Sequence, residues 1–494
     1  MDEDIFEECN DIIKPLKSAV LDEKTNKFIE EEDLINKRNK EKIELLKQGV
    51  RIAALKLDNY QANVKQFYKA QPFFYDKSKI FWFWNIEQNR WEIVDDTDIM
   101  VMLDERYSFQ GLTVGASTKA NYLEAFKRVG RQKIPKKSFN KWIQFKDKAY
   151  GITSKKIYYV TPDYFFTNPI PWEMGNVIDT PIMDKLFEEW VGLENIDVLY
   201  EVIAYCCYTD YPIQLIFCLI GSGRNGKSCF LRLLAKFLGQ NNVCSTELDV
   251  LMDSRFEAFK LYKKLACFMG ETNFGTMAKT SMLKKLVGGD LISYEKKNKD
   301  PFDDFNYAKL LISSNSLPSS YDTSEGFYRR WFIIDFSNEF PEGKDILKSI
   351  PDIEYNNLAK KVTLILPKLL ESGKFTHQGN INERRDKYIM ASNPLPVFLS
   401  ACCIKEEDAY VGYNELFTAF VKFLHVHKKR RVKMKEFRSA LEDEGFWIDR
   451  TTKGDDFSKK SSNWVIGLEL KTDWKQKIYV NNVKKQEIPT QISI

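Results

Sequence analysis

The chain reads as a multidomain α/β protein, with a parallel-sheet core between an α+β domain and a small helix-and-wing domain. Three observations predict this. At 494 residues the chain is too long for one ordinary hydrophobic core. Between residues 176 and 391, short apolar runs alternate with helical stretches, the pattern of a sheet buried on both faces. The flanks differ in character, aromatic and alternating before this section, basic and helical after it. The expected units are therefore 1–60, 61–175, 176–391 and 392–494.

Residues 1–60 are charged and poor in aromatics, with helical periodicity in EEEDLINKRNKEKIELLKQGVRIAALKLDN, so a helical lead-in is expected. Near residue 71, FFYDKSKIFWFWNIEQNRWEIV alternates and is rich in aromatics, which reads as hairpin strands around an Asn-containing turn. WIQFKDKAYGITSKKIYYVTPDYFFTNPIPWEM continues with short strands and a Pro-containing exit. MDKLFEEWVG and DVLYEVIAYCCY turn helical. Strand IQLIFCLI then leads through GSGRNGKS into helix SCFLRLLAKFLG, stopped by Gly239. KLACFM, AKLLISS and RWFIIDF supply further strands. After residue 392 the order is helix, basic turn, helix, then two strands around a polar wing.

Composition removes several classes. No apolar run is long enough to span a bilayer, and the opening MDEDIFEECN is acidic, so a cytoplasmic protein without membrane contact is expected, in a host cell if the chain is viral or plasmid-encoded. Nine cysteines include no C-x-x-C, and three histidines do not complete a zinc spacing, so reduced, mostly buried thiols are expected. The 74 basic and 70 acidic residues are interspersed, so local clusters matter more than the net charge of +4.

Gly221-x4-Gly226-Lys227-Ser228 has the spacing of a phosphate-binding loop, with a strand before and a helix after it. Glycines allow backbone N–H groups to turn inward, so Gly221, Ser222, Gly223, Arg224, Asn225, Gly226, Lys227, Ser228 and Cys229 form the expected ATP contact. Lys227 would reach the outer phosphates, and the Ser228 hydroxyl would sit on Mg²⁺. Glu271, ending KKLACFMGET, is placed to orient water or to help hold Mg²⁺. Asn315, ending YAKLLISSN, has the position of an amide that holds water in line. Arg329 and Arg330, before FIIDF, are both candidates for an arginine reaching a neighbouring subunit's γ-phosphate.

Taken in order, these residues resemble the superfamily 3 helicases, in the branch of phage, plasmid and viral primase-helicase C-terminal regions. GSGRNGKS is similar to the family's motif A, CFMGET to motif B, and the segment through Gly288, Gly289 and Asp290 to Asn315 and Pro318 to its B′ and C motifs. SEGFYRRWFIID resembles the arginine-finger region, and FFTNPIPW the domain that commonly precedes the helicase. The resemblance implies an AAA+-like P-loop ATPase, a ring that is usually a hexamer, and 3′-to-5′ movement on single-stranded DNA. One departure stands at motif B, where Gly270 precedes Glu271 in place of a second acid.

Two stretches are candidate DNA contacts. LISYEKKNKDPFDDFNYAK places Lys296, Lys297 and Lys299 at the tip of an expected hairpin, where lysines touch phosphates without reading sequence. Lys428, Lys429, Arg430, Arg431, Lys433, Lys435 and Arg438 lead into the amphipathic helix of the expected winged-helix domain. Forked as well as single-stranded DNA is then the expected partner. Asp95, Asp96 and Asp98 lack a histidine-containing triad, so priming is expected from a separate primase or polymerase. The rival readings are an origin-binding scaffold whose ATPase drives assembly, and a packaging or clamp-loader-like ATPase.

Overall fold

The computed structural model describes residues 59–108, 115–137, 142–146, 148–270, 276–341, 346–427, 432–451 and 462–474, with the short segments 19–22, 27–30, 39–41 and 44. At its centre lies a five-stranded sheet: β1 Ile216–Ile220, β2 Val243–Thr246, β3 Ala266–Met269, β4 Lys309–Ser314 and β5 Trp331–Asp335. Its spatial order is β2-β3-β4-β1-β5, and every neighbouring pair is parallel. Parallel strands need crossovers, and the crossovers cover both faces. Every residue of β1 and β4 is accordingly buried. β2 was not foreseen: VCST is short and weakly apolar, and occupies the sheet edge.

The helix Lys227–Leu238 shows why the apolar pattern sufficed elsewhere. Phe230, Leu233, Leu234, Phe237 and Leu238 recur on one face and are buried, and Gly239 ends the helix at φ +90°. The chain enters the sheet from helices Pro181–Val191 and Ile196–Cys206 and leaves it through Asp352–Ser372 and Ile381–Ser392.

Before the sheet lie two antiparallel three-stranded sheets, Phe73–Tyr75, Phe81–Asn85 and Arg90–Val94, then Trp142–Gln144, Lys148–Gly151 and Ile157–Tyr159. Period-two alternation splits the first between two cores. Phe73, Phe81 and Phe83 pack with Tyr122 and Phe126 of helix Ala116–Arg131. Phe74, Trp82, Trp84 and Trp91 join the core that continues through the central sheet. One apolar core thus runs across residue 175. In the lead-in, Ala19–Asp22 pairs antiparallel with Lys27–Glu30, a hairpin that the expected helical lead-in did not include. AVLD and KFIE are two short apolar-containing runs around the polar EKTN, a pattern that closes a ladder within twelve residues.

The C-terminal part has its own core, with Phe398, Leu416, Phe420, Phe437, Val465 and Leu468 at its centre. Helices Leu395–Cys402, Tyr413–Val426 and Met434–Asp443 pack with an antiparallel sheet ordered Cys403–Gly412, Ser462–Leu470, Ile448–Thr451. The first of these strands, CIKEEDAYVG, was missed because its charges hide the alternation. All eight described cysteines are free thiols. No helix among the described residues is long and apolar enough to cross a membrane.

One buried cation sits at the amino end of β4. Lys309 Nζ donates to the carbonyls of Tyr208, Asp210 (2.6 Å) and Tyr307 (3.0 Å), beneath the rings of Tyr205, Tyr208 and Tyr211. Burial pushes its pKa down to about 7.

Candidate functional site

Because all five strands run the same way, their carboxyl ends share one edge, and β1 stands where the chain's path reverses, between β4 and the late-added β5. Ligands of open parallel sheets settle at such a point. Ile220 is in register with Ser314 of β4 and with Asp335 of β5. Gly221 and Asn315 therefore leave the sheet side by side.

The loop from Gly221 to Gly226 turns through left-handed backbone at Gly223 (φ +114°), Arg224 (φ +48°) and Gly226 (φ +91°). Such turns direct successive N–H groups into one concavity. At Gly223 an added Cβ would meet nothing within 4 Å, so the loop's middle is open. At Gly221 it would fall 1.8 Å from Asn225 Nδ2 and 2.3 Å from the Phe336 carbonyl, and at Gly226 2.5 Å from Trp190 Cδ1. These two glycines are required by close approach.

Asn225 is 2% exposed; its Nδ2 donates to the Phe336 carbonyl (2.9 Å) and its Oδ1 accepts from Lys227 Nζ (2.9 Å). Lys227 Nζ also donates to the Gly221 carbonyl (2.7 Å) and to Asn315 Oδ1 (3.4 Å). The loop, the ammonium and the strand-end amide thus form one hydrogen-bonded unit. Ser222 Oγ donates to Glu339 (2.6 Å), Ser228 is exposed in the first helical turn, and Cys229 is half-buried beside it. Glu271 lies outside the described residues; the strand leading to it ends at Met269, which is in register with Ile312 on the same edge. Among the described residues no group of three or more His, Cys, Asp or Glu side chains is poised to hold a metal.

Arg329 and Arg330 occupy the other end of the sheet, since the Arg330 carbonyl accepts from Ile216 N–H at the start of β1 (2.6 Å). A five-residue strand separates them from the loop edge by roughly 16 Å. Arg330 is 9% exposed and donates to the Gly326 carbonyl, and burial together with Arg329 lowers its pKa. Arg329 is exposed, donates to Gln214 (3.2 Å), and accepts at its carbonyl from Arg384, whose pKa burial and Arg329 likewise lower. The structure separates two arginines that spacing left equivalent.

Lys296, Lys297 and Lys299 lie in the exposed turn of the antiparallel hairpin Leu291–Tyr294 with Phe302–Phe305. Lys79, from the first aromatic sheet, meets Asp300 in this turn (2.5 Å). Lys428, Lys429, Arg430 and Arg431 lie outside the described residues. Lys433, Lys435 and Arg438 are exposed on or beside the helix Met434–Asp443, where Arg438 pairs with Glu442 (2.9 Å). The acids Asp95, Asp96 and Asp98 have a local use: Asp95 accepts from Thr97 and Asp98 N–H, and Asp98 accepts from Asp95 N–H, capping the helix Asp96–Ser108.

Sequence reading missed Trp190, Phe336 and Gln214. They lie far along the chain from the groups they support, and no local pattern marks them.

A family model described as a family of unknown function (DUF5906) matches residues 219–330. A protein of Acanthamoeba polyphaga mimivirus named "Putative helicase" is 24% identical over 161 residues, 31% of this chain. The chain matches only 17% of that relative's length. Solved apo structures of the NrS-1 C-terminal region superpose at TM-scores of 0.42 and 0.40 with 12% and 13% identity, covering 84% and 83% of this chain and 100% and 99% of theirs.

Proposed function

We propose that this chain is an ATP-dependent DNA helicase of superfamily 3 type, working in the replication of a virus or plasmid. The observation that carries the reading is the unit of Gly221, Asn225, Lys227 and Asn315 at the carboxyl edge of β1 and β4. It places an ammonium, a polar amide and a concave glycine loop at the amino end of one helix, where a triphosphate is favoured by both dipole and charge. The similarity to a mimivirus protein named as a helicase supports the choice among nucleotide-driven machines.

ATP fits the residues present. The open space at Gly223 leaves room for phosphate oxygens, and Lys227 exchanges its bonds to Gly221 and Asn225 for phosphate. Mg²⁺, when bound with the nucleotide, screens phosphate charge; Ser228 is the described side chain placed to hold it, with Glu271 as the sequence candidate. Asn315 orients the attacking water. Arg329, exposed at the far end of the sheet, is the candidate to reach the nucleotide of a neighbouring copy in the closed homo-hexameric ring that the resemblance to superfamily 3 helicases implies. Arg330 holds the turn beneath it. The hairpin lysines Lys296, Lys297 and Lys299 track the DNA backbone, with movement in the 3′-to-5′ direction. Lys433, Lys435 and Arg438, with the basic run 428–431, dock a winged-helix-like domain on forked DNA. Primers come from a separate primase or polymerase, and the site of action is the host cytoplasm.

Strand displacement on 3′- and 5′-tailed forks tests this, with particle mass measured in parallel. Lys227→Ala is expected to lose ATP binding and unwinding. Glu271→Gln is expected to bind ATP but unwind about 10²- to 10⁴-fold more slowly. Unwinding that survives Lys227→Ala, or ATP hydrolysis that never couples to unwinding, refutes the motor.

A further inference from the structure

We propose that Cys244 and Cys267 form a dithiol site that a small anionic disulfide, of the glutathione disulfide class, oxidises reversibly. The two residues are direct partners in the register of β2 and β3, which are neighbouring parallel strands. Strands so paired lie about 4.8 Å apart and set in-register side chains on one face. That spacing falls inside the Cα range that a disulfide accepts. β2 is the edge of the sheet, held on one side only, so it is free to close the remaining gap between the sulfurs.

The two thiols differ in access, which gives each a role. Cys267 is fully buried, and contact with Cys244 together with burial holds its thiol well above the ordinary range, so it waits protonated. Cys244 is half-buried and opens into a pocket of about 500 Å³. Arg90, Lys260, Lys263 and Lys264 line that pocket against the single carboxylate of Glu92. Glu92 pairs with Arg90, and from outside the lining Glu257 pairs with Lys260 (2.6 Å) and Asp304 with Lys263 (2.7 Å). Lys264 donates to the Asn241 carbonyl (2.6 Å), and among the described residues no carboxylate pairs with it. A negative charge is thus what the pocket lacks. Lys260 and Lys264 also interact electrostatically with Cys244, so both ammoniums stand near the attacking sulfur.

Exchange runs in two steps. Cys244 Sγ, having lost its proton to water, attacks one sulfur of the bound disulfide; that S–S bond breaks and the first small thiolate leaves. Cys267 Sγ loses its proton in turn, attacks Cys244 Sγ and expels the second small thiolate. Two protein thiols are oxidised to one disulfide, one small disulfide is reduced to two thiols, and the two released protons end on them.

Incubating the folded full chain with glutathione disulfide, trapping the remaining thiols with a maleimide and mapping peptides by mass spectrometry tests the assignment. A linked Cys244–Cys267 peptide should form, and dithiothreitol should remove it. Cys267→Ala should stop at a glutathione adduct on Cys244, and Cys244→Ala should leave Cys267 a free thiol. Scaled to their rates with free cysteine, neutral hydroxyethyl disulfide should react at Cys244 at least about tenfold more slowly than glutathione disulfide. Lys264→Gln should narrow that gap. The wild-type link is read without any variant, so the test does not depend on a substituted chain folding. No link in the folded chain, a link formed only in urea, an adduct on Cys267 in Cys244→Ala, equal scaled rates, or a gap that Lys264→Gln leaves unchanged overturns the proposal.

Discussion

Gly226→Ala tests how the loop Gly221–Gly226 is supported. Gly226 has φ +91° and an added methyl would stand 2.5, 2.6 and 2.8 Å from Trp190 Cδ1, Nε1 and Cγ. The indole is 1% exposed and lies among Phe187, Phe230 and Phe336, so it has nowhere to retreat. Left-handed backbone at an alanine costs about 1–2 kcal/mol. Overpacking against the ring adds about 1–3 kcal/mol. The expected total is about 2–5 kcal/mol, with weakened ATP binding as the loop shifts. Gly289 separates the two contributions: its φ is +79°, yet an added Cβ meets nothing within 4 Å. Gly289→Ala should therefore cost only the backbone part, about 1–2 kcal/mol. Urea unfolding followed by circular dichroism reads both. Adding Trp190→Ala to Gly226→Ala should cost less than Trp190→Ala alone, because the clash has gone. If Gly226→Ala costs no more than Gly289→Ala, Trp190 is not the wall of the loop and the reasoning fails.

Three further outcomes are expected. Asn225→Ala removes both the bond to Phe336 and the Lys227 acceptor, and should cost about 1–3 kcal/mol in thermal or urea unfolding while loosening nucleotide binding. Lys309 binds its proton less tightly folded than unfolded, so its burial penalty is fully present below pH 7 and fades as pH rises toward the unfolded value near 10.4. Its contribution to stability should thus rise by up to about 1.4 kcal/mol per pH unit between those limits, and Lys309→Met should flatten that rise in urea midpoints measured from pH 7 to 9. Arg329→Ala should leave stability within about 0.5 kcal/mol but abolish hydrolysis stimulated by assembly, whereas Arg330→Ala should lower the unfolding midpoint by about 1–3 kcal/mol. Equal effects of the two on stability would contradict their different burial.

The sequence alone determined the core elements. Apolar runs such as IFCLI and KLLISS have one stable fate, burial between helices, and the 3.6-residue spacing in SCFLRLLAKFLG leaves one face to bury. The loop spacing likewise predicted a tight glycine turn between β1 and the following helix, because positive φ and close approach at Gly221–Gly226 are a local backbone requirement. Strands carrying little apolar pattern, VCST at the sheet edge and CIKEEDAYVG in the C-terminal sheet, were illegible because neighbours, not their own periodicity, make them strands. Only the tertiary structure decided that Lys227 meets Asn315, that Trp190 closes on Gly226, and that Arg329 is open while Arg330 is buried. Those facts depend on strand order and on contacts between residues 36 to 88 positions apart. Spacing along a chain carries local geometry, while proximity across a sheet is set by packing.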